Sequence, residues 1–197
     1  MVDLFNYTRR ASSVAHIGAL DLGGDNPIRI QSMTTTNTND TEACVRQAEE
    51  IIKAGGELVR FTTQGSREAE NMKNINAGIR ADGYQTPLVA DVHFNPNVAD
   101  VAALYCEKVR VNPGNYVDPA RKFIKQEYTD EEYAHELQKI EDRFVPFLNI
   151  CKEHHTAIRI GVNHGSLSDR IRNRYGDSPE GIVESCLEFL RICKKEN

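Results

Sequence analysis

Five short apolar, β-branched runs alternate with helical patterns along the chain, at residues 27–31, 57–62, 87–93, 108–112 and 157–163. This order constrains the fold more than any other feature, because it argues for βα units around a parallel sheet. The first helix begins at a capping-box-like pair, Asn39 and Glu42, carries Ala48, Ile51 and Ile52 on one face, and ends at Gly55-Gly56. Ser66 caps the second, with Ala69, Met72, Ile75 and Ile79 in helical spacing. Asn95-Pro96 opens the third, since proline is tolerated in a first turn, and Asp118-Pro119 repeats the signature. Thr129 and Glu132 fit a capping box before the stripe Tyr133, Leu137, Ile140, Phe144, Phe147 and Leu148, which Pro146 is expected to kink or divide. Ser178-Pro179 opens the last helix, whose expected buried face is Ile182, Val183, Cys186, Phe189, Leu190 and Cys193. Ahead of the five units, residues 13–24 read as a small β-hairpin around Gly18, placed to plug the floor of a barrel.

Composition fits this reading. A chain of 197 residues that is 40% hydrophobic makes one domain, or two small ones, and folds without disulfide or metal staples. No apolar run approaches the ~20 residues of a membrane span. Residues 1–10 hold no apolar stretch of the secretory kind, so a soluble cytoplasmic protein is expected. The five cysteines, Cys44, Cys106, Cys151, Cys186 and Cys193, form no Cys-x-x-Cys pair and read as free structural thiols. Of the net charge of −5, residues 127–142 alone contribute −6, as a solvated acidic helix face. The remainder is +1, which leaves room for an anionic ligand.

Buried parallel strands usually read as continuous Val, Ile and Leu. Here they are interrupted near their carboxyl ends by Arg60, Asp91, His93, Arg110, Asn112, Arg159 and Asn163. Side chains change face at every residue of a strand, so Arg110 shares a face with Asn112, and Arg159 with Gly161 and Asn163. One such arginine fits a core ion pair, with Asp91 the nearest candidate. Three arginines against one aspartate leave positive charge uncompensated, which costs several kcal/mol when buried. An anionic ligand at the strand ends relieves it, and α/β folds place their sites there. Arginine suits phosphate because its planar fork makes two parallel bonds. The turns Asn112-Pro113-Gly114-Asn115 and His164-Gly165-Ser166 add backbone N–H donors. No Walker loop or Gly-x-Gly-x-x-Gly is present, and no His-Glu-x-x-His or carboxylate cluster suggests a metal site.

The segments PIRIQSMTTTNTND (27–40), ELVRFTT (57–63), PLVADVHFNP (87–96), KVRVNPGNY (108–116), AIRIGVNHGSLSDRI (157–171) and RYGDSPEGIVES (174–185) together resemble the 4-hydroxy-3-methylbut-2-enyl diphosphate synthase family. The match covers nearly the whole chain, and residues 117–150 are its least family-like part. The resemblance implies a (β/α)8 TIM barrel that carries the substrate, with a separate C-terminal domain holding a 4Fe-4S cluster. It implies two-electron reductive opening of 2-C-methyl-D-erythritol 2,4-cyclodiphosphate, with loss of water, in the non-mevalonate isoprenoid pathway. Ferredoxin or flavodoxin supplies the electrons, and a homodimer is an assembly it leaves open. By family pattern Arg60, Arg110 and Arg159 match phosphate-contacting positions, while Asp91, His93 and Asn163 lie beside the substrate. With Asn112 and Ser166 from the two turns, these make up the expected substrate-binding set. No catalytic residue or metal ligand is assigned.

The cluster ligands of the family, three Cys and one Glu, and its catalytic Glu have no counterpart here. The expectation is therefore an α/β barrel truncated after about five βα units, an N-terminal fragment inactive alone. Residues 1–26 form the hairpin segment and 27–197 the partial barrel, with the iron–sulfur domain outside the chain. A full barrel usually needs about 250 residues, and an open one leaves strand edges to be covered. Two alternatives stay open: a pterin-diphosphate barrel of the dihydropteroate synthase type, and a non-catalytic phosphate-binding module.

Overall fold

A computed structural model describes residues 10–118 and 127–196. An antiparallel hairpin, β1 (Val14–Ile17) and β2 (Leu20–Gly23), comes first, with Gly18 at φ 57°, a sign of φ that glycine adopts freely. Five parallel strands follow in sequential order: β3 (Gln31–Met33), β4 (Leu58–Thr63), β5 (Leu88–Val92), β6 (Lys108–Val111) and β7 (Ala157–Ile160). Helices α1 (Thr41–Lys53), α2 (Ser66–Ala81), α3 (Pro96–Ala103) and α4 (Asp130–His154) make the crossovers. After β7 come α5 (Asp169–Tyr175) and α6 (Pro179–Lys195). Sequentially ordered parallel strands with helical crossovers are the wall of an α/β barrel, as the alternation predicts. Among the described residues no helix is long and apolar enough to cross a membrane.

Strand alternation divides the sheet into two chemically different faces. Val59, Phe61, Leu88, Ala90, Val92, Val109 and Val111 turn outward and are buried against Ala48, Met72, Ile75, Ile79, Ala102, Phe144 and Phe147 of the helices. Phe144 and Phe189 meet edge to face at 4.9 Å, with Tyr116 against both. At the amino-terminal end of the other face, Ile17 of the hairpin packs with Leu58 and Val89 in a separate small cluster. The carboxyl-terminal half of that inner face is left to polar groups.

A second polar network lies on the outer side. Arg170 of α5 is 3% exposed and donates to both carboxylate oxygens of Glu188, at 2.7 and 2.8 Å. It also donates to both oxygens of Asp118, at 3.0 and 3.3 Å, and its guanidinium lies 4.7 Å from the Tyr133 ring. The Tyr133 hydroxyl donates to Glu188 at 2.6 Å. Burial alone would lower the Arg170 pKa, but the bonds to Glu188 and Asp118 outweigh it and raise it. One side chain thereby joins α4, α5, α6 and the loop after β6.

This network corrects the expected face of α6. Its buried residues are Gly181, Ser185, Glu188, Phe189 and Ile192, whereas Val183 and Leu190 are exposed. The helix is rotated so that Glu188 reaches Arg170. The first sheet strand starts later than expected, at Gln31, because Glu57 accepts from the Ile30 N–H (2.9 Å) and pairs with Arg29 (2.9 Å), holding 29–30 by side chain. The first helix is capped by Asp40 rather than Asn39, which donates to Glu68 instead, and the second starts at Ser66 with Gly65 as its cap, next to the expected position. Asn95, Thr129 and Ser178 cap as expected, Thr129 in a reciprocal box with Glu132. Pro146 does not divide α4, which runs unbroken from Asp130 to His154 with Phe144, Phe147 and Leu148 anchored around the proline. Asp118 is engaged by Arg170, and the rest of the expected Asp118-Pro119 helix start, 119–126, lies outside the described residues.

Arg170→Ala leaves two buried carboxylates facing each other without their shared cation. It is expected to cost about 3–5 kcal/mol, read as a lowered urea midpoint at pH 7.

Candidate anion-binding site

The register of the strands stacks the inner-face residues in layers. Thr62, Asp91, Arg110 and Arg159 are neighbours across β4, β5, β6 and β7. One layer closer to the hairpin lie Arg60, Val89, Lys108 and Ala157. His93 and Asn112 follow at the strand ends. The structure therefore brings Arg60, Asp91, His93, Arg110 and Arg159 onto one face, as the alternation predicts.

Asp91, with its side chain 3% exposed, is the hub. It accepts from Arg60 Nη2 and from Arg110 Nη1 at 3.1 Å, and His93 Nε2 lies 3.1 Å from it. The same Nε2 lies 3.4 Å from Arg110 Nη1, so the tautomer of the ring decides whether it accepts from Arg110 or donates to Asp91. Burial by itself would raise the Asp91 carboxyl, but the His93 bond and the Arg60 guanidinium outweigh it and hold the pKa at about 2. Burial pulls the Arg110 guanidinium down against the attraction of Asp91, with Arg60 and Arg159 adding to the downward shift. Arg110 Nη2 donates to the Gly161 carbonyl at 2.6 Å, and a Cβ at 161 would overlap the Arg110 side chain. Glycine at that point lets the guanidinium lie across β7. Arg159 is exposed and makes no ion pair with a described residue.

The two turns behave differently from bare donors. Asn112 Oδ1 accepts from the Gly114 N–H at 3.3 Å, and Asn163 Oδ1 from the Gly165 N–H at 2.9 Å, each opening a 3-10 turn, Pro113–Asn115 and His164–Ser166. Asn112 Nδ2 donates to Ser166 Oγ at 2.7 Å and so ties one turn to the other. The turns touch so closely that a Cβ at Gly114 would overlap the Ser166 carbonyl. Asn112 and Ser166 thus brace the rim, and Asn163 stands exposed beside them. Phe94, just after His93, is exposed and holds a left-handed backbone at φ 62°, a costly conformation for an aromatic residue.

Sequence reasoning missed two members. Lys108 is 8% exposed on the inner face, two residues before Arg110; the same alternation that placed Arg110 points to it, but a lysine at a strand start reads as a solvated flank. Gly161 was read for its face and not for the side chain it admits.

Residues 12–197 match the GcpE TIM-barrel domain. The chain belongs to this family. It is 75% identical over 196 residues to 4-hydroxy-3-methylbut-2-en-1-yl diphosphate synthase (flavodoxin) of Phocaeicola vulgatus, covering 100% of the chain and 32% of that relative. The protein of the same name from Bacteroides thetaiotaomicron is 74% identical with the same coverage, and that from Akkermansia muciniphila is 51% identical over 190 residues, 96% of the chain and 32% of the relative. The chain spans about a third of the length of the curated relatives it matches. In this GcpE-type barrel the arginine layer lies at the carboxyl ends of the strands, where TIM barrels hold their ligands.

The residues described do not fit an iron–sulfur cluster. Burial raises the pKa of all five thiols, which disfavours the thiolate a metal requires, and no three His, Cys, Asp or Glu residues converge on a metal position among the described residues.

A carboxyl held at about 2 stabilises the fold above its unfolded pKa near 4, and that contribution disappears as pH falls through 2. Wild-type stability should therefore drop by about 2.5 kcal/mol from this group between about pH 5 and pH 1. Asp91→Asn should lower stability at pH 7 and flatten that acid limb, as read by urea unfolding across the range. Gly161→Ala should displace Arg110 and lower the urea midpoint at pH 7, because a Cβ there would overlap the guanidinium that Asp91 and the Gly161 carbonyl hold.

Proposed function

We propose that this chain is the substrate-binding part of a 4-hydroxy-3-methylbut-2-en-1-yl diphosphate synthase and binds 2-C-methyl-D-erythritol 2,4-cyclodiphosphate at the arginine layer. The observation that carries this reading is the charge imbalance of the inner face, where Arg60, Arg110 and Arg159 meet the single carboxylate Asp91. A cyclic diphosphate is compact, doubly phosphorylated and too polar for the apolar walls of an ordinary pocket. Arg159, exposed and without an ion pair among the described residues, meets the phosphate first. Arg110, fixed by Asp91 and Gly161, presents a preorganised fork to it. Arg60 backs the diphosphate from β4. Asp91 and His93 lie beside the sugar-derived carbons and orient its hydroxyls, and Asn163 closes the rim, with Asn112 and Ser166 holding the turns in place.

On this reading residues 27–197 are the barrel part and residues 1–26 carry the hairpin that covers its floor. The reductive step, in which two electrons open the ring with loss of water in isoprenoid biosynthesis, belongs to a part of the enzyme that carries the 4Fe-4S cluster. The relatives' names point to flavodoxin as donor in preference to ferredoxin. The cytoplasm, where flavodoxin and the diphosphate substrate meet, is the compartment.

Titration of the chain with the cyclodiphosphate should raise its thermal midpoint and give saturable heat by calorimetry. Arg110→Ala and Arg159→Ala should each weaken binding by about 1.5–3 kcal/mol. Unchanged binding in both variants, or tighter binding of a pterin diphosphate, refutes the assignment.

A further inference from the structure

Lys108 is the cation that neither the fold nor the ion pairs of the site explain. It is 8% exposed, and lysine is almost never buried to that degree unless paired. No described carboxylate forms an ion pair with it, since Asp91 is occupied by Arg60, Arg110 and His93. Burial lowers its pKa, and the charged groups that act on it, Arg159 and Arg60, are both positive and add to that shift. In the same layer Arg60 keeps a buried Nε with no hydrogen-bond partner. Four inward cations, Arg60, Lys108, Arg110 and Arg159, thus share one carboxylate.

The strand sets the distance between the two cationic layers. Lys108 and Arg110 are two residues apart on β6, about 7 Å along the strand and on the same face. A single phosphoryl group placed on Arg110 and Arg159 satisfies the upper layer alone. Two linked phosphoryl groups reach both. We propose that Lys108, with the free Nε of Arg60, forms a deep subsite that positions the second phosphoryl group of a diphosphate ligand, while Arg110 and Arg159 hold the first. This rests on the diphosphate reading of the site given above. Lys108 is a positioning residue retained for the ligand at a cost to the unliganded fold, because a lysine only 8% exposed, with no counter-ion among the described residues, destabilises it.

The test compares the wild-type chain with Lys108→Met, Lys108→Arg and Arg110→Ala, using inorganic pyrophosphate and inorganic phosphate as probes in calorimetry and thermal unfolding without anion. Lys108→Met should weaken pyrophosphate roughly tenfold or more and leave phosphate affinity unchanged. Without anion it should raise the unfolding midpoint by about 2–4 °C, since an apolar chain of similar length replaces an unpaired charge. Lys108→Arg should restore most of the pyrophosphate affinity. Pyrophosphate binding lost in Arg110→Ala but intact in Lys108→Met overturns the subsite and leaves the diphosphate reading standing. A lowered midpoint in Lys108→Met also overturns it, by making the lysine structural. Failure of the wild-type chain to bind pyrophosphate overturns both.

Discussion

Asp91 sits between guanidiniums from the strands on either side of its own, and the rest of the site depends on that sharing. A single carboxylate at the centre of β5 neutralises one positive charge and orients two. Arg60 and Arg110 are thereby held on the inner face instead of swinging to solvent, and Arg110 is pressed flat over β7, where only glycine leaves room. The register of three strands is coupled to one interaction, since slipping β6 by one residue would turn Arg110 to the helices and Val109 inward. The interaction also leaves work undone. One carboxylate does not balance the layer, and the end of the sheet is left with an excess of positive charge.

The second network solves the opposite problem. Arg170 is one cation between two carboxylates, buried where the helices meet, and all its donors toward Glu188 and Asp118 are used. Its geometry is closed, with bidentate bonds on both sides and an aromatic face beneath, so nothing is left for a ligand. The contrast separates structure from site on physical grounds. A network that satisfies itself rigidifies the helical layer, whereas the inner-face network is open on its positive side. The closed network also fits how α6 lies, with Val183 and Leu190 of the expected apolar face left exposed.

Much of the sheet was legible because its information is local. Alternation assigns faces residue by residue, and Arg60, Asp91, Arg110 and Arg159 need only that rule to converge once the strands are parallel and sequential. Caps made by Asn95, Thr129 and Ser178 were legible for the same reason, as each bonds within three residues. Arg170, Glu188 and Asp118 were not, because their pairing joins segments 18 and 52 residues apart and no local period announces it. A glutamate within the apolar stripe of α6 was the available signal. Lys108 lay under the same rule that found Arg110, but a charge at a strand end resembles a solvated flank until the hairpin and neighbouring strands bury it. Asn112 and Asn163 were legible as turn residues, and only coordinates show that their side-chain oxygens are spent on their own turns.

The net charge of −5 gives the wrong sign for the site, and the structure explains why that is harmless. The acidic excess lies on 127–142, where Asp130, Glu131 and Glu132 occupy the first turn of α4 and favour its macrodipole. Those groups face solvent, where screening confines an exposed charge to about 8–10 Å at physiological ionic strength. The inner-face cations are at least half-buried except Arg159, and fields between buried charges are screened far less. The potential at the strand ends is therefore set more by these cations than by the helix surface. Arg159 is the exposed member of the set, the one cation able to meet an anion before desolvation, with Arg110 and Arg60 behind it. Exposure falls from Arg159 to Arg60, whose side chain is 22% exposed, and then to Arg110, at 9%. The same order explains why the exposed arginine needs no carboxylate, while each buried one is held by Asp91.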